Sequence, residues 1–338
     1  MVELVNRLTR VTMWQRIANW TLSAGVLPIL LVALFLFFGL YEEKFWRTAN
    51  LINVLRNASY LMIISAGQMM VLIIGGFDLS VGAVVALTSV TTALIMVWLG
   101  GLMPDQIFLI IIIGVIIALL VGSAVGIVNG LCVAFLKISP FMATIGTMSI
   151  AFGIALYLTS GVPIYGMPDE FTRDFGRMRL GGLPVVIYLT IVMLAIVWWV
   201  MNWTKLGRYV YAIGGNIHAA RVSGIPTTIY LIVTYTLCSF LASVTGVLLT
   251  ARVSSGEATL GGATITLECI AAAVIGGVSL RGGVGRIEFV ALGALFLALV
   301  TNGMNIMRVD SKIQTIVIGV VLILAVALDR LKQRNIES

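Results

Sequence analysis

The stretch Ile74-Gly75-Gly76-Phe77-Asp78-Leu79-Ser80-Val81-Gly82-Ala83 lies between two long uncharged runs. It places an ionisable side chain, Asp78, and two adjacent glycines where a continuous membrane span would carry apolar residues. Glycine weakens helix interiors and commonly ends helices, and a charge at membrane depth is costly unless it has a partner. The stretch therefore predicts a break between two apolar helices.

A second, weaker copy of this pattern, Ile275-Gly276-Gly277-Val278-Ser279-Leu280-Arg281-Gly282-Gly283, follows 201 residues later. The two copies agree at the isoleucine, both early glycines, the leucine and the last glycine, and Ser279 takes the place of Asp78. Interrupted hydrophobic segments in corresponding positions of two halves are typical of transporters. The pair predicts two glycine-broken segments in pseudo-repeated halves.

The composition indicates an all-α integral membrane protein. Of the 338 residues, 60% are hydrophobic and 10% are charged, whereas soluble domains carry about 25% charged residues. Two of the apolar stretches are irregular, because Glu268 interrupts one and the other is short. Counting both gives about ten transmembrane helices in one integral membrane domain over residues 1–338. The apolar stretches cover residues 17–41, 57–77, 79–104, 106–136, 138–168, 180–204, 222–251, 258–280, 289–307 and 313–328.

The basic residues predict the orientation. An even number of spans puts both termini on one side, and twelve of the 21 Lys and Arg residues then lie on that side. By the positive-inside rule both termini are cytoplasmic. Arg7, Arg10 and Arg16 precede an apolar run too long for a signal peptide, so the first span is expected to stay as an anchor. The loop 161–183 would face outward, either as a docking surface or as a solvated connector.

The segment 204–225 would lie on the inner side. Asn216 is expected to cap a short helix, Gly224 to end it, and Pro226 to prevent its continuation. Such a helix suits docking to another protein, although an interfacial helix without a partner is the alternative. His218, the only histidine, is then a surface residue.

A face of small residues marks the fourth span. Gly122, Gly126 and Gly130 recur every four residues and predict close packing against another helix, with a pore-facing surface as the alternative. Asn129 beside them, like Asn302, would face protein or water, because an amide is costly in lipid.

Several kinds of chemistry are excluded. The sequence has no P-loop, no His-Glu-x-x-His, no Gly-x-Ser-x-Gly and no basic patch for nucleic acid. The three cysteines have no CxxC spacing and are expected to be packing residues rather than metal ligands or disulfides. Transport remains, along polar groups beside the two breaks. Asp78 is either the N-cap of the third helix or a solute contact. The residues that could line the route or form the broken-helix motif are Gly75, Gly76, Asp78, Ser80, Asn129, Glu268, Gly276, Gly277 and Asn302.

Four blocks of sequence resemble the membrane permease of ribose-type ABC sugar importers. They begin at Gly75 (Gly-Gly-Phe-Asp-Leu-Ser-Val-Gly), Thr204 (Thr-Lys-Leu-Gly-Arg-Tyr-Val-Tyr-Ala-Ile-Gly-Gly-Asn), Ala219 (Ala-Ala-Arg-Val-Ser-Gly-Ile) and Ile275 (Ile-Gly-Gly-Val-Ser-Leu-Arg-Gly-Gly-Val-Gly-Arg). The resemblance covers about residues 45–330. It implies a homodimer in the bacterial inner membrane, with a cytoplasmic ABC ATPase inside and a periplasmic sugar-binding protein outside.

The resemblance also implies how the parts share the work. The permease would be no enzyme and would carry no cofactor or metal, because ATP and Mg²⁺ bind on the ATPase. Ile217-His218 stands where an acidic residue is common, so the resemblance does not extend to a salt bridge at this point. The residues that fall on the family's coupling segment are Gly215, Asn216, Ala219, Arg221, Ser223 and Gly224.

The resulting hypothesis is an ATP-driven importer of a monosaccharide or related small polyol. Closure of the ATPase would push on the segment 204–225, and the two permeases would rock to pass the sugar along their interface. The alternative is a stand-alone facilitator or a proton-coupled transporter that uses Asp78 or Glu268 as a relay. A membrane scaffold is a third class, but it gives no reason for paired broken segments.

Overall fold

The computed structural model describes residues 27–337, without the side chains at 325, 326 and 328–337. The first ten residues of the predicted first span, 17–26, lie outside the described part, as do Arg7, Arg10 and Arg16. The longer helices are, in chain order, α1 Leu27–Tyr41, α2 Thr48–Ile73, α3 Val81–Leu102, α4 Ile107–Ala134, α5 Pro140–Thr159, α6 Val185–Trp203, α7 Lys205–Gly215, α8 Ile217–Val222, α9 Thr227–Val253, α10 Ala263–Ile275, α11 Ile287–Ile306 and α12 Ser311–Glu337. A short α-helical turn covers Asp169–Phe171, and 3₁₀ turns cover Glu43–Trp46 and Ala258–Leu260.

Each of the ten predicted apolar stretches contains one helix, and the mostly helical fold is confirmed. Within residues 27–337, seven helices are long and apolar enough to cross a membrane: α3, α4, α5, α6, α9, α11 and α10 taken with its preceding 3₁₀ turn. α1 and the described part of α12 are shorter apolar helices. The 26-residue α2 is long enough but carries Arg56 and Gln68. That about ten helices cross the membrane, rather than these seven, stays a prediction.

α9 is the centre of the packing. It contacts α2, α3 and α4, while α2 also packs against α6, α10 and α11. In the most apolar windows, 78% of α3 and 61% of α9 are buried, against 22% of α6 and 28% of α5. α2, α3 and α9 therefore form the interior, and α5 and α6 present apolar surface to their surroundings. Cys238 and Cys269 are buried in this core, as expected of packing residues.

The interior accepts many hydroxyl side chains because most of them find an acceptor on their own helix. Thr88 donates to the Val84 carbonyl at 2.8 Å, and Thr92 donates to the Thr88 carbonyl at 2.6 Å. This bonding to the preceding turn satisfies the hydroxyl without a partner helix. Polar residues in this core are therefore not in themselves evidence of a solute route.

The glycine face of α4 packs against α9, which confirms the packing prediction. A Cβ at Gly126 would lie 2.6 Å from the Tyr235 carbonyl oxygen, and one at Gly130 would lie 2.6 Å from the Ile232 Cα. Such contacts leave no room for a side chain. The face is therefore a helix-packing surface, and its alternative as a pore lining has no support at these positions.

The segment 161–183 has a fold of its own. A short π-helical turn, Thr172–Arg177, is followed by a two-stranded antiparallel hairpin, Arg179–Leu180 with Leu183–Pro184. Its two turn residues, Gly181 and Gly182, have φ of 54° and 85°, as a type I′ turn requires. The Arg177 side chain donates to the Ser254 hydroxyl at 3.0 Å. This contact anchors the segment to the end of α9, and we call the segment 161–183 the anchored cap.

Candidate functional site

The first glycine turn, residues 74–80, separates α2 from α3. Gly75 has a φ of 87°, and the Gly76 amide donates to the Val71 carbonyl at 2.8 Å. Such a bond across the end of a helix, with a left-handed glycine inside it, is the Schellman motif. The predicted helix break is present, and Gly75 is the residue whose backbone requires glycine.

The second glycine turn, residues 276–286, separates α10 from α11 and begins in the same way. Here Gly277 has the positive φ, 79°, and the Val278 amide donates to the Ala273 carbonyl at 3.0 Å. The left-handed residue is thus the first glycine of one pair and the second glycine of the other. The two turns are shifted by one residue relative to the sequence repeat, because α10 continues one residue further. Ser279 is therefore not the structural counterpart of Asp78.

Asp78 shapes the entry into α3 without being its N-cap. The N-cap residue is Ser80, and Asp78 Oδ1 accepts from the Ser80 amide at 2.9 Å and from the Ser80 hydroxyl at 2.6 Å. The expectation that Asp78 itself is the cap was wrong by two residues. Asp side chains commonly bond the backbone two residues on and so form a turn, and here that bond orients the first turn of α3.

A chain of buried side chains extends from Asp78 across three helices. The Asn129 amide of α4 donates to the Ser80 hydroxyl at 2.8 Å, and the Thr147 hydroxyl of α5 donates to Asn129 Oδ1 at 2.5 Å. Asp78, Ser80 and Asn129 are fully buried, so these bonds replace water. The structure thus brings together three of the predicted polar residues and adds Thr147, which only its contact reveals.

The other predicted polar residues lie elsewhere. The Asn302 amide donates to Asn50 Oδ1 at 2.9 Å. Asn50 lies in the first turn of α2, whereas Asp78 lies in the first glycine turn, beyond the other end of that helix. Glu268 lies midway along α10, partly buried. A helix rises about 1.5 Å per residue, so the 26 residues of α2 separate these ends by roughly 39 Å. Asn302 and Asp78 cannot belong to one binding site.

Backbone contacts join both glycine turns to the end of α7. The Gly283 amide donates to the Ile73 carbonyl at 2.8 Å, and a Cβ at Gly282 would lie 2.8 Å from the Gly214 carbonyl oxygen. A Cβ at Gly214 would overlap the Ile73 carbonyl. We call Ile73, Gly214, Gly282 and Gly283 the glycine junction. Sequence reasoning missed it, because the three segments are distant in the chain.

Tyr211 fastens α7 to the same region. Its hydroxyl donates to the Gly285 carbonyl at 2.6 Å. Burial, with a smaller contribution from Glu288, raises the pKa of the Tyr211 phenol above its ordinary value, while Arg286 opposes the rise. The phenol therefore remains a hydrogen-bond donor throughout the physiological pH range.

α8 has the predicted geometry. Asn216 Oδ1 accepts from the backbone amides of His218 and Ala219, each at 3.0 Å. Gly224 ends the segment with a φ of 80°. His218 is exposed, as predicted, and Val222 at the tip is 90% exposed. All six residues proposed for coupling are exposed: Gly215, Asn216, Ala219, Arg221, Ser223 and Gly224.

Known proteins resemble this chain over most of its length. The family model described as branched-chain amino acid transport system / permease component matches residues 50–326. The D-allose transport system permease protein of Escherichia coli (strain K12) is 36% identical over 307 residues, 91% of each chain. The ribose import permease protein of the same strain is 36% identical over 317 residues, 93% of this chain and 95% of its own. The ribose import permease protein of Bacillus subtilis (strain 168) is 36% identical over 295 residues, which are 87% of this chain and 88% of its own. No solved structure matches.

Proposed function

The chain belongs to the family of transport-system permease components that matches residues 50–326, and from this premise we propose that it imports a monosaccharide or related small polyol. The family description refers to branched-chain amino acids, but the relatives that cover about nine tenths of the chain are permeases for allose and ribose. Because these relatives cover nearly the whole chain, they favour a sugar over an amino acid as the transported solute. Galactose permeases, at 33% identity, add a second hexose beside allose.

The permease subunit is not itself an enzyme, since its homologues are permease subunits of ABC transporters, in which ATP hydrolysis belongs to the partner ATPase. ABC importer permeases work in general with such an ATPase and with a periplasmic binding protein. For this chain we infer that ATP and Mg²⁺ bind only on the ATPase, and that the permease carries no cofactor. The chain is a multi-pass membrane protein.

The assembly we propose has two copies of the chain in the bacterial inner membrane. All ten apolar helices would cross the bilayer, and both termini would be cytoplasmic. α8 would then face the ATPase, while the anchored cap at 161–183 would face the periplasmic binding protein. In support, the cap precedes the first residue of α6 and contacts the last turn of α9, whereas α8 follows the end of α6 by way of α7 and precedes the start of α9. The two segments therefore lie at opposite ends of α6 and α9, as an arrangement with two docking faces requires.

The observation that carries this mechanism is the glycine junction. Movement of α8 by the ATPase would pass to α7, whose Gly214 contacts the end of α2 and the second glycine turn backbone to backbone. Close-packed backbone leaves little compliance, so displacement of α7 would move both turns together. Each turn would then change the tilt of the helix that follows it, α3 or α11.

Asp78 serves this mechanism as a structural acceptor. It has no carboxylate or basic partner among the described residues, and its second oxygen, Oδ2, has no hydrogen-bond partner there. An amide in its place would still accept from Ser80. The proposal therefore assigns no proton transfer to Asp78, unlike the alternative of a proton-coupled transporter.

The Asp78→Asn variant tests this assignment. We expect sugar uptake within about twofold of the wild type, because the side-chain oxygen that Ser80 binds is kept. Asp78→Ala is the matched comparison: it leaves the Ser80 amide without its acceptor, at a cost of about 1–3 kcal/mol, and should lower thermal stability. Uptake is measured in proteoliposomes with and without a proton gradient. Loss of uptake in Asp78→Asn, together with dependence on the gradient, would contradict the proposal.

A further inference from the structure

A concave, strongly basic cavity lies at the end of α2 that is remote from the glycine turns. Its volume is about 490 Å³. None of its ten lining residues is acidic, and five are cationic: Lys44, Arg47, Arg56, Arg179 and Arg308. We call this the basic cavity. The cations come from four separate parts of the chain, so the fold, and not one charged stretch of sequence, creates it.

These cations are largely uncompensated. Within residues 27–337, Lys44 alone among the five has a carboxylate partner, Glu42 at 3.5 Å. The Nε of Arg56 is buried and has no hydrogen-bond partner in the described part of the chain. Like charges gathered in one cavity repel each other, and a buried guanidinium donor without an acceptor is costly. Both costs would be relieved by an anion with several acceptor oxygens.

The remaining polar groups also suit such an anion. Asn50, Asn53 and Asn305 line the same cavity, and their amides can donate to oxygen. Arginine binds phosphate with two parallel hydrogen bonds, and three of the arginines, Arg47, Arg179 and Arg308, are exposed and free to turn toward a ligand. The donor set favours a phosphate group over a neutral sugar.

The position of the cavity corresponds to the headgroup level of a bilayer. α2 is 26 residues long, or about 39 Å. With α2 crossing the bilayer as proposed above, its two ends lie near the two faces of a membrane that is roughly 40–45 Å thick with its headgroups. Next to the cavity, Tyr41 and Trp46 are 63% and 48% exposed. Exposed Tyr and Trp are typical of membrane interfaces.

We propose that the basic cavity binds the phosphodiester headgroup of an acidic phospholipid of the surrounding membrane. Basic pockets between transmembrane helices bind lipid headgroups in other proteins. The cavity admits one small group, whereas a docked protein covers about 800 Å² on each partner. The bound lipid would neutralise the arginines that line the cavity. This inference does not depend on which solute the permease carries.

The test is native mass spectrometry of the full-length chain with added phosphatidylglycerol or phosphatidylcholine. The wild type should bind the first phosphatidylglycerol more tightly than phosphatidylcholine. The double variant Arg47→Gln with Arg308→Gln should bind phosphatidylglycerol roughly tenfold more weakly or worse, because each cation near an anionic lipid contributes about a fivefold factor. Both side chains are exposed, so the variant should fold. Arg179→Gln, on the exposed hairpin, gives a second, single-site version.

The matched control removes the same charge elsewhere. Lys312→Gln with Lys137→Gln changes two exposed lysines that do not line the cavity, and should leave binding within about twofold, since it leaves all five lining cations in place. Competition by inorganic phosphate, but not by chloride at equal ionic strength, would support phosphate as the recognised group. Phosphate binding without phosphatidylglycerol binding would overturn the lipid assignment.

One further result would overturn the proposal. If both double variants bind phosphatidylglycerol as the wild type does, the cavity is not a lipid site. If, in addition, the arginine variant alone loses its complex with the binding protein, the occupant is an acidic protein surface. The transport assay plays no part in the lipid measurement, so failure here leaves the proposed function untouched.

Discussion

Replacing Gly214 by valine is expected to reduce ATP-driven sugar uptake by roughly tenfold or more while the complex with the ATPase still forms. The valine Cβ would overlap the Ile73 carbonyl oxygen and lie 2.7 Å from the Gly283 amide nitrogen. The end of α7 must then move away from both glycine turns, with a cost of about 1–3 kcal/mol for overpacking. α8, which docks in the proposal, keeps its exposed surface. Uptake, ATP hydrolysis and complex formation are measured on the same preparation.

Gly101→Val is the matched control for this variant. Gly101 lies in the last turn of α3, and a Cβ there has nothing within 4 Å. This variant also replaces a glycine within a helix by valine, but the new side chain meets no neighbouring backbone. Uptake should therefore stay near the wild-type level. If Gly214→Val imports sugar as well as Gly101→Val does, the glycine junction does not transmit movement.

Val222→Glu is expected to weaken assembly with the ATPase by roughly thirtyfold, while the permease folds normally. Val222 is 90% exposed at the tip of α8, so its change costs the isolated chain little. When an apolar side chain that is buried in an interface is replaced by a carboxylate, the complex typically loses about 2 kcal/mol or more of binding free energy. The measurement is the affinity of the detergent-solubilised permease for its ATPase, with thermal unfolding of the permease recorded beside it.

Ser139→Glu provides the comparison. It adds the same carboxylate at an exposed residue before α5, on the side of the membrane where the proposed topology also places α8. Ser139 makes no side-chain cap bond, and a carboxylate at a helix N-terminus is favourable. Equal affinities of the two variants for the ATPase would refute the placement of the docking surface on α8.

The sequence was sufficient to predict most of the helices, because backbone in a membrane must satisfy its own hydrogen bonds. α2 shows the limit of this reasoning. Its apolar stretch was expected to begin at residue 57, yet the helix begins at Thr48 and includes Arg56. A helix surrounded by other helices does not need an apolar face toward lipid, so charges no longer mark its ends.

Local backbone chemistry was predictable where a few neighbouring residues decide it. The Asn216 cap and the Gly224 stop depend on side chains within three or four residues, and both are present. The hairpin at 179–184 had an equally local signal, two glycines between short apolar strands, which was overlooked. The cap of α3 was placed on Asp78, but the cap is Ser80, whose carbonyl accepts the first helical bond from the Val84 amide.

Contacts between distant segments could not be predicted from one sequence. Asn129 and Asn302 were treated alike because an amide is costly in lipid, yet Asn129 bonds to Ser80 and Asn302 bonds to Asn50 at the other end of α2. The same holds for Gly214 and for the five cations of the basic cavity. Their roles follow from packing, which local pattern does not encode.

The most direct test of the account is sugar uptake into proteoliposomes that contain the permease, its cognate ATPase and the binding protein. Import should require all three proteins, ATP on the side of the membrane where the ATPase is bound, and a sugar that the binding protein binds. The sugar should also stimulate ATP hydrolysis. Import by the permease alone, driven by a sugar or proton gradient and indifferent to ATP, would contradict it.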